Sequence, residues 1–164
     1  YISIMRGTPL MLQLMVFYFG PYYLFKMNIG GNWRFTAIIL SFSLNYAAYF
    51  AEIFRGGIES IPKGQYEAAE VLGYSKVQTF FKIIFPQVIK RIIPPITNEV
   101  ITLVKDTSLA FALAVTEMFT VAKAIAANQK TMTAFIAAAI FYYVFNLLVA
   151  FIMEKVEKKL AYYR

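Results

Sequence analysis

Long apolar stretches alternate with short polar segments along most of the chain. A helix that crosses the roughly 30 Å hydrocarbon core of a membrane needs about 20 mostly apolar residues, because each residue rises about 1.5 Å. Three stretches satisfy this requirement cleanly, and a fourth does so with the carboxylate of Glu99 inside it. The pattern therefore predicts membrane spans at about residues 9–25, 35–54, 85–104 and 133–153.

A fifth apolar stretch, residues 109–121, is shorter and contains Glu117. Basic residues are concentrated in segments 55–91 and 155–164, and the positive-inside tendency places both segments in the cytoplasm. Between these two cytoplasmic segments the chain must cross the membrane an even number of times. Three apolar stretches lie between them, 85–104, 109–121 and 133–153, so one of the three does not cross. We therefore expect residues 109–121 to form a re-entrant or outer-side helix, and the whole chain to be an all-α, polytopic membrane helical bundle.

The composition supports a membrane protein and narrows its chemistry. Hydrophobic residues make up 60% of the chain, and the net charge of +7 comes from basic residues at the borders of apolar segments. That placement favours a lipid surface over nucleic acid as a partner. Since the sequence has no Cys and no His, we expect no metal site and no cofactor. Most hydrolase mechanisms are also excluded, because the chain has no imidazole to act as general acid or base.

The polar segment 58–84, which we call the coupling loop, carries start and stop signals for short helices. Pro62 lies near a helix start and Gly73 near a helix end, and a second helical stretch follows at about 76–85. The segment therefore predicts two short amphipathic helices joined at a glycine. Such a helix pair is suited to lie in a groove of a partner protein.

The coupling loop carries a spaced motif. Glu67-Ala68-Ala69 is followed after three residues by Gly73, and nine residues later by Ile83, one further residue and Phe85-Pro86. This spacing resembles the EAA signature of ABC importer permeases, with Phe85 where that signature usually has Leu. Four flanking phrases are similar to the polar amino-acid subfamily, which handles histidine, glutamine, glutamate, arginine and opines: 5–10, 52–58, 61–65 and 103–109.

The resemblance implies a permease subunit of the bacterial inner membrane whose coupling loop and C-terminus face the cytoplasm. It also implies an N-terminal span that is missing here, docking of the loop on a pair of ATP-binding subunits, and substrate delivery by an extracytoplasmic binding protein. The coupling residues would be Glu67, Ala68, Ala69, Gly73, Ile83 and Pro86.

The chain offers no motif for hydrolysing ATP. Its 8 glycines form no G-x-x-x-x-G-K-[ST] loop. We therefore expect the chain not to be an enzyme, with the energy for transport coming from another polypeptide.

Ionisable groups inside a span usually face a bundle interior or a water-filled cavity, because exposing them to lipid is costly. Glu52 lies on one helical face with Asn45, and can either bind the amine of a substrate or form an ion pair with Arg55 or Arg6. Both interpretations stand at this point. Gln13, in the first span, is expected to make an interhelical hydrogen bond.

A second polar stripe follows the third span and ends where we expect the helix to break. It contains Asn98, Glu99, Lys105, Asp106 and Ser108. Broken helices at membrane depth are tolerated where they line a cavity, so this end is a candidate amino-acid site. Lys105 or backbone amides would hold the carboxylate, and Glu99 or Asp106 the amine. Alternatively, Lys105 and Asp106 only neutralise each other.

We expect a permease subunit that moves polar, possibly cationic, amino acids by alternating access. Four or five spans do not readily enclose a path, so a second permease copy or a paralogue should complete it. An ion-coupled secondary amino-acid transporter or channel is the alternative function, and a membrane enzyme using Glu99 with Asp106 is a third.

Overall fold

The computed structural model describes residues 1–160, and every regular element in this range is helical, which confirms the all-α prediction. The α-helices are α1 (Ile2–Gly7), α2 (Leu10–Phe25), α3 (Gly31–Glu59), α4 (Lys63–Val71), α5 (Lys76–Thr79), α6 (Phe85–Asp106), α7 (Met118–Gln129) and α8 (Thr133–Leu160). A π turn, Phe80–Ile84, joins α5 to α6, and a 3-10 helix, Thr107–Leu113, follows α6.

Two of these helices are long and apolar enough to cross a membrane, within segments Asn32–Glu59 and Thr133–Lys159. Segments Lys76–Leu113 and Met118–Gln129 together would make a third candidate, although they bend by 60°. Helix α2 has 16 residues and rises only about 24 Å, which is less than the roughly 30 Å hydrocarbon core. The count of four spans therefore stays a prediction.

Helix α2 is short because the chain breaks at Thr8-Pro9. Thr8 is extended, with φ −121° and ψ 144°, as a residue that precedes a proline prefers to be. Without this break, α1 and α2 would form one continuous helix long enough to cross.

The buried core of the coupling-loop end ties three parts of the chain together. Ile61, Ile84, Val88 and Ile92 form one apolar cluster, so the start of the loop, the π turn and the first turns of α6 share a core. Helices α3 and α6 meet at Gly57, where an added Cβ would lie 2.3 Å from Cγ2 of Ile92. Only a residue without a side chain allows this close approach.

The second predicted short helix differs from the structure. It does not end near residue 85 but continues through the π turn into α6, so loop and span are one helical unit. Pro86 explains the π turn, because a proline has no N–H and its ring clashes with the carbonyl four residues earlier. The N–H of Phe85 bonds instead to the carbonyl of Phe80, five residues back, which widens the turn just before the proline.

The α-helix of the third predicted span ends where expected, but the sharp bend lies farther along the chain. Helix α6 ends at Asp106, but the chain continues as a 3-10 helix and reverses only at Ala114, whose φ is +55°. Glu117 then begins α7 by accepting hydrogen bonds from the N–H groups of Phe119 and Thr120, both at 2.6 Å. The stretch 109–121, expected as a re-entrant or outer-side helix, therefore contains the end of the 3-10 helix, the bend and the capped start of α7. Whether it crosses the membrane stays a prediction.

We expect Gly57→Ala to lower the free energy of unfolding by about 1–3 kcal/mol, because its Cβ overlaps the buried Ile92 side chain. Gly56→Ala is the matched control, since a Cβ at Gly56 meets nothing within 4 Å and alanine favours a helix. Thermal unfolding of both variants in detergent tests this. Equal stability of the two variants would contradict the close packing of α3 on α6.

Candidate substrate cavity and coupling loop

A cavity of about 560 Å³ lies between the α1–α2 break, α3 and the last turns of α6. We call it the α3–α6 cavity, and its volume is in the range of small-molecule sites. Its lining includes two carboxylates and one guanidinium. The principal polar lining residues are Arg6, Asn45, Tyr46, Tyr49, Glu99 and Asp106.

The two carboxylates reach the cavity because Glu99 and Asp106 are seven residues apart, close to two helical turns, on α6. The hydroxyl of Tyr46 donates to Oδ2 of Asp106 at 2.8 Å and so links α3 to α6. On the other side, the Arg6 guanidinium lies 5.4 Å from the ring centroid of Tyr49, within cation–π range. The cavity is thus lined by both signs of charge, the guanidinium from α1 and the carboxylates from α6.

Asn45 and Gln13 satisfy the backbone at the α1–α2 break. The Asn45 amide donates to the Met5 carbonyl at 3.2 Å and to Oε1 of Gln13 at 3.0 Å. The Gln13 amide donates to the Met5 carbonyl at 2.9 Å and to Oγ1 of Thr8 at 2.8 Å. Gln13 thus makes the expected interhelical hydrogen bond. Asn45 borders the cavity, but its amide group is already engaged in holding the break.

Glu52 lies outside the cavity lining and makes ion pairs. Its carboxylate accepts hydrogen bonds from Arg55 and lies 3.7 Å from the guanidinium of Arg6. Arg55 also pairs with Glu59 at 3.2 Å. Glu52 therefore touches the cavity only through Arg6, and direct substrate binding by Glu52 stays a prediction.

The remaining residues of the second stripe do not join Glu99 and Asp106. Asn98 is exposed. Lys105 and Ser108 line a different cavity, of about 540 Å³, towards α7 and α8. Among residues 1–160, no ion pair joins Lys105 to Asp106, because neighbouring residues on a helix point in different directions.

The coupling loop turns at Gly73 through a Schellman motif. The N–H of Tyr74 bonds to the carbonyl of Ala69 at 3.0 Å, and that of Gly73 to the carbonyl of Glu70 at 2.9 Å. Gly73 has a φ of +78°, which a glycine adopts without steric cost. Two free carbonyls at the end of α4 are thereby satisfied, and the geometry of the turn is fixed.

The motif residues divide into buried and exposed positions. Ala69 is buried, Ile83 packs against the apolar cluster, and Pro86 follows the π turn. Glu67 and Ala68 are exposed. An unpartnered apolar surface lies beside them, and it includes Val71 (87% exposed), Leu72 (73%), Val77 and Phe81.

Sequence reasoning missed Arg6 and Tyr46 as cavity residues. Arg6 lies just before the Thr8-Pro9 break, and a polar side chain beside a broken helix could have indicated a cavity residue. Tyr46 follows Asn45 directly, so its ring points to a neighbouring face of α3. Its contact with Asp106 depends on how α3 crosses α6, which no local pattern reports.

Two apolar helices of membrane length, one of which lines a charged cavity, indicate an integral membrane protein. Over residues 1–162 the chain matches the family described as binding-protein-dependent transport system inner membrane component, and it belongs to that family. The family that the coupling-loop motif indicated is thereby confirmed. The chain is a permease component of an ABC-type importer, a class in which a separate subunit hydrolyses ATP.

Similar proteins include permeases of several amino-acid importers. The L-cystine transport system permease TcyB of Bacillus subtilis is 37% identical over 99% of this chain and 69% of that relative. The arginine transport system permease ArtQ of the same species is 41% identical over 98% of this chain and 72% of the relative. A crystal structure of an amino acid ABC transporter with histidines superposes on this chain with a TM-score of 0.84 and 33% identity. The match covers 97% of this chain and 73% of the chain in that structure.

We expect Gln13→Leu to destabilise the fold by about 1–3 kcal/mol, because the buried Asn45 amide and the Thr8 hydroxyl each lose a partner. The midpoint of thermal unfolding in detergent measures the effect. Gln129→Leu, at the exposed end of α7, is the control and should change stability by less than about 0.5 kcal/mol. A Gln13→Leu protein as stable as this control would argue against the role of Gln13 in holding the break.

Proposed function

We propose that the chain is the permease subunit of an ATP-driven importer of polar, cationic amino acids, and that its substrate binds in the α3–α6 cavity. The observation that carries this proposal is the charge pattern of the lining. Glu99 and Asp106 are negative and Arg6 is positive. A cationic amino acid has two positive groups and one carboxylate, so each ionic group of the substrate meets an opposite charge.

Each cavity residue then has a definite role. Arg6 binds the substrate carboxylate, and Glu52 holds the Arg6 guanidinium in place from 3.7 Å away. Asp106 and Glu99 bind the α-ammonium and the cationic side chain. Tyr46 orients Asp106 through its 2.8 Å hydrogen bond. The name of the arginine permease relative supports a cationic substrate.

The coupling loop is the docking element for the ATPase. Its exposed apolar surface at Val71, Leu72 and Val77 fits the groove of a partner protein, because burying apolar side chains drives association. The Gly73 turn and Ala69 fix the shape of this surface. Glu67, which is exposed on α4, is available to pair with a basic group of the partner.

Movement of the loop is transmitted to the cavity through the shared apolar core. Ile61, just before α4, packs against Ile84, Val88 and Ile92. Displacement of α4 therefore moves α6, whose last turns carry the cavity carboxylates. ATP-driven closure of two nucleotide-binding subunits would thereby alternate the access of the cavity between the two sides of the membrane.

Two further partners follow from this mechanism. A second permease copy or a paralogue completes the translocation path. Helix α8 has no buried residue along its membrane-length stretch, so its surface is available to such a partner. An extracytoplasmic binding protein delivers the amino acid, as the family description states that transport depends on a binding protein. The basic residues of segments 55–91 and 155–159 support a cytoplasmic position for the coupling loop and the C-terminal region, because basic residues near membrane spans favour that side.

Replacing the carboxylates tests the substrate site. We expect Glu99→Gln and Asp106→Asn each to lower kcat/KM for arginine uptake by about 10- to 100-fold, as the loss of one charge-assisted hydrogen bond predicts. Uptake of radiolabelled arginine, histidine and glutamine in proteoliposomes measures this. Glu154→Gln, which removes a carboxylate paired with Lys158 at 2.5 Å outside the cavity, should leave uptake unchanged.

Unchanged arginine uptake in both cavity variants would refute the site. Uptake that follows an ion gradient and needs no ATP would instead support the alternative, an ion-coupled secondary transporter or channel.

Replacing the turn glycine tests the coupling loop. Gly73→Pro fixes φ near −65° and removes the N–H that bonds to Glu70, at a local cost of about 3 kcal/mol. We expect the variant to insert into the membrane but to lose both uptake and substrate-stimulated ATP hydrolysis by its partner. Gly64→Ala, in the same loop and with open space around its Cβ, should keep both activities. Normal uptake by Gly73→Pro would contradict the coupling role.

A further inference from the structure

An ion pair borders the α3–α6 cavity on the side that faces the coupling loop. Arg6 lines the cavity from α1, and its guanidinium lies 3.7 Å from the Glu52 carboxylate on α3. Glu52 does not line the cavity, and along α3 it lies closer to the coupling loop than Tyr49, which does. The ion pair therefore joins α1 to α3 at the end of the cavity nearest the coupling loop.

On the same side, α3 and α6 are held together by the contact of Gly57 with Ile92. This contact is part of a close-packed apolar core, so the two helices cannot separate there without disrupting the core. The ion pair between α1 and α3 is different, because the side chains of Arg6 and Glu52 are 42% and 28% exposed. A partly exposed ion pair is weak and breaks readily. Of these two contacts, the ion pair is the one that can open while the core stays packed.

Glu52 has a second partner on its own helix. Nε of Arg55 donates to Oε2 of Glu52 at 3.2 Å, and Nη2 of Arg55 donates to the other carboxylate oxygen. When Arg6 moves away, Glu52 therefore keeps a bidentate ion pair. Among residues 1–160, Arg6 has no carboxylate other than Glu52 within ion-pair distance. Opening an empty cavity thus leaves the Arg6 guanidinium without a carboxylate, which costs free energy inside a membrane.

We propose that the Arg6–Glu52 pair is a substrate-dependent gate between the α3–α6 cavity and the coupling-loop side of the membrane, with Arg55 as its positioning residue. This inference rests on the proposed function, in which the substrate carboxylate binds Arg6. With substrate bound, each charge has a partner after the pair breaks, because Glu52 keeps Arg55 and Arg6 keeps the substrate carboxylate. The gate therefore opens more readily from a loaded cavity than from an empty one.

Chemical labelling of a cysteine in the cavity tests the gate, because the sequence contains no cysteine. Thr102 lines the cavity from α6, so Thr102→Cys reports access to it. The full-length protein with its natural partners is placed in membrane vesicles whose coupling-loop side faces outward. A membrane-impermeant, positively charged methanethiosulfonate is added outside in the absence of substrate. The rate at which this chain is labelled then measures how often the gate is open.

Removing Glu52 and removing Arg55 should change the labelling rate in opposite directions. We expect Glu52→Gln to raise it about two- to fivefold, the factor that the loss of one partly exposed ion pair predicts. Arg55→Gln should lower it by a similar factor, because an open gate then leaves Glu52 unpaired. If both residues only stabilised the fold, the two variants would change the rate in the same direction. Arg6→Gln breaks the pair from α1 and should also raise the rate, so the test does not depend on the folding of Glu52→Gln.

Arg55→Gln gives a second readout in transport. It should lower kcat for arginine uptake and leave KM unchanged, because Arg55 lies outside the cavity lining and acts only through Glu52.

Glu59→Gln is the matched control, because Glu59 pairs with Arg55 at 3.2 Å but neither pairs with Arg6 nor lines the cavity. The reporter cysteine should be labelled at the same rate with and without this change. An unchanged rate in Glu52→Gln and Arg6→Gln, or a rate in Arg55→Gln that is not lower, would overturn the gate.

Failure of the gate and failure of the proposed substrate site can be distinguished. The labelling contains no amino acid, so its result does not depend on whether Glu99 and Asp106 bind one. Conversely, unchanged arginine uptake in Glu99→Gln and Asp106→Asn would remove the substrate dependence of the gate, whatever the labelling rates are.

Discussion

The close contact of α3 with α6 at Gly57 is the constraint on which the rest of the structure depends. Because Gly57 has no side chain, Ile92 and Val88 approach the α3 backbone and the two helices share one apolar core with Ile61. The same two helices carry the facing walls of the α3–α6 cavity farther along their length. A change in their separation at one end therefore reaches the charged groups at the other end.

A second constraint is that backbone groups freed by a broken helix need partners in an apolar environment. The structure meets this need with side chains. Gln13 and Asn45 serve the break at Thr8-Pro9, while Glu117 caps the start of α7. Arg34 donates to the Ala114 carbonyl at 3.3 Å, at the second break. Several polar residues inside apolar stretches therefore support the backbone rather than a ligand.

Sequence patterns predicted the helical class and the coupling-loop turn because these depend on local signals. Hydrophobic runs mark the helices, and Gly73 marks the end of α4. They did not show that the second loop helix continues into α6, since a proline usually ends a helix and the π turn that precedes Pro86 has no simple sequence pattern. They also grouped Lys105 with Asp106, although the two residues line different cavities. Proximity along the chain does not show which side of a helix each residue faces.

The π turn has one more geometric effect. A π turn inserts one residue into an α-helix, and each residue of an α-helix turns the chain by about 100°. The turn Phe80–Ile84 therefore sets how far the coupling loop is rotated about the axis of α6. Deleting Lys82 alone would leave the contact of α6 with Gly57 in place and yet rotate the coupling loop by about 100° about the axis of α6, so that its apolar surface would face another direction.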